Sequence, residues 1–146
     1  MHMKVSAHIV VPDASEAAQW YANALGASEV SRVPWPGNRV MAVEIALGES
    51  RVHIASEFPQ AGVLSPLTIG GTATVLQVNV DDVDTLWTRA VSAGASVRHP
   101  LHDAFWGERH GQITDPFGHR WNLAQRLREV SSAEIAAAAA KLFGAQ

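Results

Sequence analysis

The chain has 146 residues, no cysteine and a formal net charge of −3 with its seven histidines neutral. This length predicts one domain, and a chain without cysteine excludes disulfides, thiolate metal sites and cysteine nucleophiles. The weakly acidic balance argues against a nucleic-acid partner, because binding to a phosphate backbone needs a clustered basic surface. No apolar run approaches the roughly 20 residues of a membrane helix, and no signal peptide is recognisable, so the sequence predicts a cytoplasmic protein without a membrane partner.

The first half of the chain has the pattern strand, helix, strand, strand, strand. A capping pattern begins the helix at Asp13, and Gly26 ends it. A Pro36-Gly37 pair predicts a turn between the second and third strands. The four strands are expected over residues 4–11, 28–33, 39–47 and 51–55.

The second half repeats this pattern after a linker over 57–72 that is rich in proline and glycine. Asp82 stands before the second helix as Asp13 stands before the first, and Gly94 ends it. The following strands are expected over 96–99, 111–114 and 120–124, with an irregular loop over 102–110. The domain prediction is therefore a single domain over 1–128, with modules 4–56 and 73–126.

Two tandem βαβββ modules predict an α+β fold. Each sheet carries one helix on one face, so its other face remains available, and two such sheets can close around a shared cleft. A capping pattern at Ser131 begins an alanine-rich helix that runs to about Phe143. The segment 129–146 is accordingly expected to be a helical appendage that acts as a structural clasp.

Three stretches resemble the vicinal oxygen chelate superfamily, which includes glyoxalase I, extradiol dioxygenases, fosfomycin-resistance enzymes and bleomycin-binding proteins. They are the second helix (its entry at 80–84, its end at 93–95), the segment 105–109, and the segment 115–121 with the Asp-Pro-Phe-Gly turn. The closest likeness is to the PhnB-like branch. The resemblance implies a cleft that binds a small molecule and a homodimer, with the linker long enough for modules to be exchanged between subunits.

The resemblance also implies where a metal would bind. Metal-using relatives hold a divalent ion with a histidine on the first strand and a glutamate on the last strand of each module. Those first-strand positions here are Ser6 and Val75, and the last-strand position in the second module is Asn122. His8 and Gln77 lie two residues further along, on the same strand face. A metal ion (zinc, nickel, manganese or iron) would be left with four candidate ligands: His8, Glu44, His53 and Gln77.

The same positions suit a metal-free ligand site. His8, Gln77 and Asn122 would form a polar floor, with His53 beside it, because a neutral imidazole or amide both donates and accepts hydrogen bonds. Further ligand contacts are expected from Trp35, Phe105, Trp106 and Arg109. Trp20, Trp87 and Trp121 are expected in the core, and His99, His102, His110 and His119 in loops or at the surface.

Three functions remain open at this point. The first is a metal-free protein that binds a planar or aromatic small molecule, including antibiotic sequestration as in bleomycin-binding relatives. The second is a divalent-metal-dependent lyase, isomerase or dioxygenase that acts on adjacent oxygens. The third is a structural or regulatory role. Fold likeness alone does not decide among them, because function depends on the site.

Overall fold

A computed structural model describes residues 1–144 of the chain, which leaves the last two residues of the expected 129–146 appendage outside the described residues. The strands are β1 (Ala7–Val11), β2 (Ser28–Trp35), β3 (Arg39–Leu47), β4 (Ser50–Ser56), β5 (Val75–Asn79), β6 (Ser96–Asp103), β7 (Glu108–Thr114) and β8 (Arg120–Arg126). The α-helices are α1 (Ala14–Leu25), α2 (Pro66–Ile69), α3 (Val83–Ser92) and α4 (Ser132–Phe143). Within residues 1–144, no helix is long and apolar enough to span a membrane.

The strands form two four-stranded sheets with the same topology. The first has the order β1-β4-β3-β2 and the second the order β5-β8-β7-β6. In each sheet the first strand pairs in parallel with the last strand of its module, and the remaining pairs are antiparallel. The α+β fold of tandem βαβββ modules is therefore confirmed.

The segment 102–110 differs from its prediction. It is not an irregular loop, because β6 runs to Asp103 and β7 begins at Glu108, so that His102 pairs with His110 across the two strands. Pro100 is tolerated in β6 because this is an edge strand, where the missing N–H faces away from the sheet. Two register shifts between β6 and β7 absorb the irregularity.

Polar contacts between the helical sides of the modules join the two halves of the chain. Trp20 of α1 donates a hydrogen bond from Nε1 to the Ala93 carbonyl at 2.8 Å. Arg89 of α3 donates to the carbonyl oxygens of Asn23 at 2.6 Å and Ala22 at 3.0 Å, which lie near the end of α1. The two helices therefore pack against each other, and the expected core placement of Trp20 is confirmed.

Asp115 is the buried polar centre of the core. Its carboxylate accepts hydrogen bonds from the Tyr21 hydroxyl at 2.5 Å, from Trp121 Nε1 at 2.9 Å and from the backbone N–H groups of Phe117 and His119, both at 2.9 Å. Burial, and then the charge of Asp115, raise the pKa of the Tyr21 hydroxyl. This network links α1 of the first module to the turn before β8 of the second.

His119 lies at the contact between the modules. It lies in the turn between β7 and β8, as predicted, but its ring is partly buried and its Nε2 is 2.7 Å from the Val10 carbonyl oxygen. Trp121 is fully buried and Trp87 packs against the core, as predicted. The expected clasp, α4, contributes no buried residue. Its Phe143 ring lies 6.4 Å from the ring of Phe105 in the loop between β6 and β7.

Candidate functional site

Each sheet has one face that packs against the helices and one face that points away from them. The face that points away from the helices is called the wall of that sheet. In the first sheet, Ile9, Val43 and Ile54 are buried on the helical side. Side chains alternate along a strand, so their neighbours point to the other side. One cross-strand row of the first wall holds His8, His53, Glu44 and Ser31.

The second wall carries the equivalent row of Gln77, Asn122, Gln112 and His99. Gln77 precedes the helix-capping Asp82 by the same interval that separates His8 from Asp13. The two walls therefore carry different side chains at matching positions.

The first wall is ionisable. The imidazole rings of His8 and His53 stack with centroids 4.3 Å apart and planes 14° apart. His53 Nε2 lies 3.4 Å from Glu44 Oε1, and Arg51 lies 3.7 Å from the other oxygen of the same carboxylate. His8 is exposed, whereas Glu44 and His53 are partly buried.

These residues do not fit a divalent metal. Lone pairs of imidazole nitrogens lie in the ring plane, so two stacked rings direct them side by side rather than toward one ion. Within residues 1–144 no three histidine or carboxylate side chains are grouped closely enough to hold a metal. Gln77 lies on the other sheet, where its Nε2 donates to Asn79 Oδ1 at 3.1 Å.

The second wall has an uncharged amide row. Gln112 Nε2 donates to Asn122 Oδ1 at 2.8 Å, and Gln112 is buried. Gln77 is exposed at the same level of the sheet. The row offers fixed amide donors and acceptors to a bound molecule without a charge of its own.

Beside the amide row stand four rings, called the aromatic box: His102, Phe105, Trp106 and His110. The Trp106 ring lies 5.0 Å from Phe105, 5.3 Å from His110 and 6.4 Å from His102, each in an edge-to-face arrangement. Trp106 Nε1 donates to Glu108 Oε1 at 2.6 Å, which fixes the indole. All four rings come from the β6–β7 hairpin.

His110 is the unsatisfied member of the aromatic box. Its Nδ1 is buried and has no hydrogen-bond partner among residues 1–144. Burial is the main cause that lowers the pKa of His110 below its usual 6.5, so the ring is neutral at pH 7. A neutral imidazole has one donor and one acceptor nitrogen, so the buried Nδ1 keeps an unmet hydrogen-bonding capacity.

Of the predicted ligand residues, Arg109 is already paired with acidic side chains, and Trp35 lies away from the aromatic box. Arg109 donates to Asp84 at 3.1 Å and to Asp103 at 3.0 Å, so its charge is neutralised by its own neighbours. Trp35 packs on Phe58 with centroids 5.2 Å apart, in a separate depression of about 390 Å³ that Arg39 also lines. The structure therefore does not bring Trp35 into the aromatic box.

His110 and Gln112 were not predicted from the sequence as candidate site residues. The signal was the alternation His110, Gly111, Gln112, Ile113, in which Gly111 and Ile113 point to the core. The expected loop over 102–110 concealed it. Phe105 and Trp106 were predicted as ligand residues, and the structure brings them together with His102 and His110.

Two tandem βαβββ modules, each with one helix-covered sheet face and one wall, define the class of protein to which the fold belongs. The family model described as the Glyoxalase/Bleomycin resistance protein/Dioxygenase superfamily matches residues 3–123. The chain belongs to this superfamily.

Similar proteins include an uncharacterised protein of Mycobacterium tuberculosis, 39% identical over 137 residues, which are 92% of this chain and 81% of that protein. Among solved structures, TioX from Micromonospora sp. ML1 matches with a TM-score of 0.67 and 24% identity over 88% of this chain and 100% of that one. The PhnB protein from Bacillus cereus matches with a TM-score of 0.65 and 17% identity over 84% and 99%. At these identities the two structures show a shared fold.

Proposed function

We propose that the second wall binds a planar aromatic small molecule and that the protein acts by holding it, without a metal-dependent reaction. The aromatic box next to the amide row carries this proposal. In each edge-to-face pair, the ring that contributes its edge keeps its own faces clear of the partner ring. Contact of a planar ligand with such a face adds to the apolar area that binding buries. Small-molecule sites combine aromatic lining with a few placed polar groups, as this wall does.

Sequestration of an antibiotic is the form of this function that we propose. A protein that only holds its ligand needs affinity and no reactive group, and the second wall has amides and aromatic rings in place of ligands for a metal. Gln77, Asn122, Phe105 and Trp106 keep the ligand-binding roles predicted from the sequence. Gln112, His102 and His110 join them.

We further propose a homodimer in which a second copy faces the walls. Three apolar side chains on the first sheet are between 40% and 49% exposed: Val30, Val33 and Met41. Exposed apolar patches of this kind typically mark interaction surfaces. In such a dimer the His8 and His53 row would face a ligand held on the second wall. Sedimentation velocity tests the dimer, and a chain that stays monomeric at micromolar concentration contradicts it.

Tryptophan fluorescence tests the binding function. Aromatic antibiotics are titrated into the native protein and into two matched variants, Trp106→Phe and Trp35→Phe. We expect a ligand that quenches emission, loses most of that quenching in Trp106→Phe and keeps it in Trp35→Phe. If both variants respond like the native protein, the aromatic box is not the site.

The metal-dependent alternative is tested on the same protein. The untagged protein is dialysed in turn against zinc, nickel, manganese and iron(II), and its metal content is measured. One tightly held ion per subunit that is lost in His8→Ala would replace the binding proposal with the enzyme.

A further inference from the structure

Most arginines of the chain have a polar partner within residues 1–144. Six of the nine hold a carboxylate or a backbone carbonyl: Arg32, Arg39, Arg51, Arg89, Arg109 and Arg128. The other three, Arg98, Arg120 and Arg126, make no side-chain hydrogen bond or ion pair in the described part of the chain. Two of these three, Arg98 and Arg120, line the same depression.

This depression, called the arginine pocket, has a volume of about 330 Å³. Thr114 of β7 and residues 70–72 also line it, and its lining contains no acidic residue. Two arginine side chains that line one depression place positive charge beside it, and no acidic side chain of the lining neutralises that charge. Guanidinium groups also bind carboxylates and phosphates with two parallel hydrogen bonds. The arginine pocket is thus suited to an anionic group.

The strand register places the arginine pocket on the second wall, at the opposite end from the aromatic box. Arg120 pairs with Thr114, Asn122 with Gln112, and Ala124 with His110, as three successive rows on one face of the sheet. The amide row therefore lies between the arginine pocket and the box. Four residues of strand separate Thr114 from His110, which is about 13 Å at roughly 3.3 Å per residue.

We infer that the ligand of the second wall is an aromatic anion, with its ring in the aromatic box and a carboxylate, sulfonate or phosphate group in the arginine pocket about 13 Å away. This inference rests on the proposed function, because it names the chemical class of the ligand bound at the same wall. The amide row contacts the polar middle of the molecule.

Two fluorescent probes that differ only in charge test the inference. 6-(Dansylamino)hexanoate carries an aromatic system and a carboxylate at the ends of a flexible chain, and 6-(dansylamino)hexanamide is its neutral counterpart. Both are titrated into the native protein, Trp106→Ala, Arg126→Gln and the double variant Arg98→Gln/Arg120→Gln. Arg126→Gln is the positional control, because Arg126 is also unpaired and lies on the same wall, but opposite Glu108 at the other end from the arginine pocket.

We expect the native protein to bind the carboxylate about tenfold more tightly than the amide, since hydrogen bonds to charged groups are the stronger ones. The double variant binds both probes equally, and Arg126→Gln keeps the preference. Raising the salt concentration reduces the preference in the native protein. Thermal melting confirms that each variant is folded.

The outcomes separate the two proposals. If both probes bind through Trp106 but the native protein shows no preference, or if the double variant keeps the preference, the arginine pocket is not the anion site and the binding function stands. If neither probe binds, or if Trp106→Ala binds both as the native protein does, the proposed function fails and the inference fails with it.

Discussion

Where the first wall carries Glu44 and His53, the second carries Gln112 and Asn122. Glu44 and His53 lie 3.4 Å apart with an arginine also near the carboxylate, whereas Gln112 and Asn122 form an uncharged hydrogen bond of 2.8 Å. The same backbone thus supports an ionisable row in one module and an amide row in the other. The duplicated fold sets positions, and the side chains decide the chemistry.

The helical sides of the two sheets also differ at matching positions. Trp87 of α3 corresponds to Ala18 of α1, since each lies five residues after its capping aspartate, and Gly111 of β7 corresponds to Val43 of β3. A Cβ atom on Gly111 would lie 2.5 Å from the Trp87 ring. In the second module the large Trp87 packs over a glycine, whereas the equivalent positions of the first module hold a small alanine and a valine. The two cores are therefore filled by different side chains.

The largest effect is expected where the two modules meet. Asp115→Ala removes an acceptor shared by four donors, two of them on buried aromatic side chains. Each buried donor left unsatisfied costs about 1–3 kcal/mol, so the free energy of unfolding should fall by about 3–5 kcal/mol. Urea denaturation measures it. Asp84→Ala is the control, since that exposed carboxylate should cost less than about 1 kcal/mol. Similar losses in both variants would contradict this role of Asp115.

The next effect tests the difference in packing. Gly111→Ala forces a methyl group against Trp87 and should cost about 1–3 kcal/mol of unfolding free energy. The double variant Gly111→Ala/Trp87→Leu should recover part of that loss if the collision is the cause. Equal stability of the single variant and the native protein would show that the indole moves aside freely.

A smaller difference in stability is expected between variants at the equivalent positions Gln112, in the amide row, and Glu44, in the ionisable row. Gln112→Ala leaves the partly buried Asn122 amide without its partner and should cost about 1–2 kcal/mol. Glu44→Ala removes partly exposed ion pairs and should cost less than about 1 kcal/mol. Urea denaturation of the two variants measures both losses of unfolding free energy. The reverse order would mean that the ionisable row, and not the amide row, is the rigid one.

The smallest effect concerns pH. Burial lowers the pKa of His110, so the unfolded chain binds the proton more readily than the folded protein. The stabilising contribution of the neutral His110 ring is fully present above its pKa in the unfolded chain, about 6.5, and is lost as the pH falls through that pKa. Glu108 favours the charged ring, whereas His102 and His99 disfavour it. His110→Asn should therefore lose less Tm than the native protein between pH 7.5 and 5.5. An identical decline in both would contradict the shift.

The fold was predictable because each helix has a capping aspartate at its start and the module pattern repeats in the sequence. The equivalence of His8 and Gln77 followed from the same repeat. The aromatic box was predictable only in part, because the pairing of His102 with His110 depends on the register of an irregular edge strand that contains Pro100.

Two further features depend on contacts between distant segments. Arg109 is neutralised by Asp84, which lies on α3, and His119 contacts the Val10 carbonyl of the other module. Strand alternation and helix caps are local signals and carry no information on such pairs. The arginine pocket likewise combines the linker with β6 and β8.

Histidine side-chain NMR tests most directly whether the second wall is the binding surface. 6-(Dansylamino)hexanoate is titrated into protein labelled with nitrogen-15 at its histidines, and the ring resonances are followed. Histidine-to-asparagine variants assign the signals of His102 and His110. If the second wall is the binding surface, these two signals move with the largest shifts and saturate together with probe fluorescence. Saturable probe binding that leaves both unmoved would contradict it.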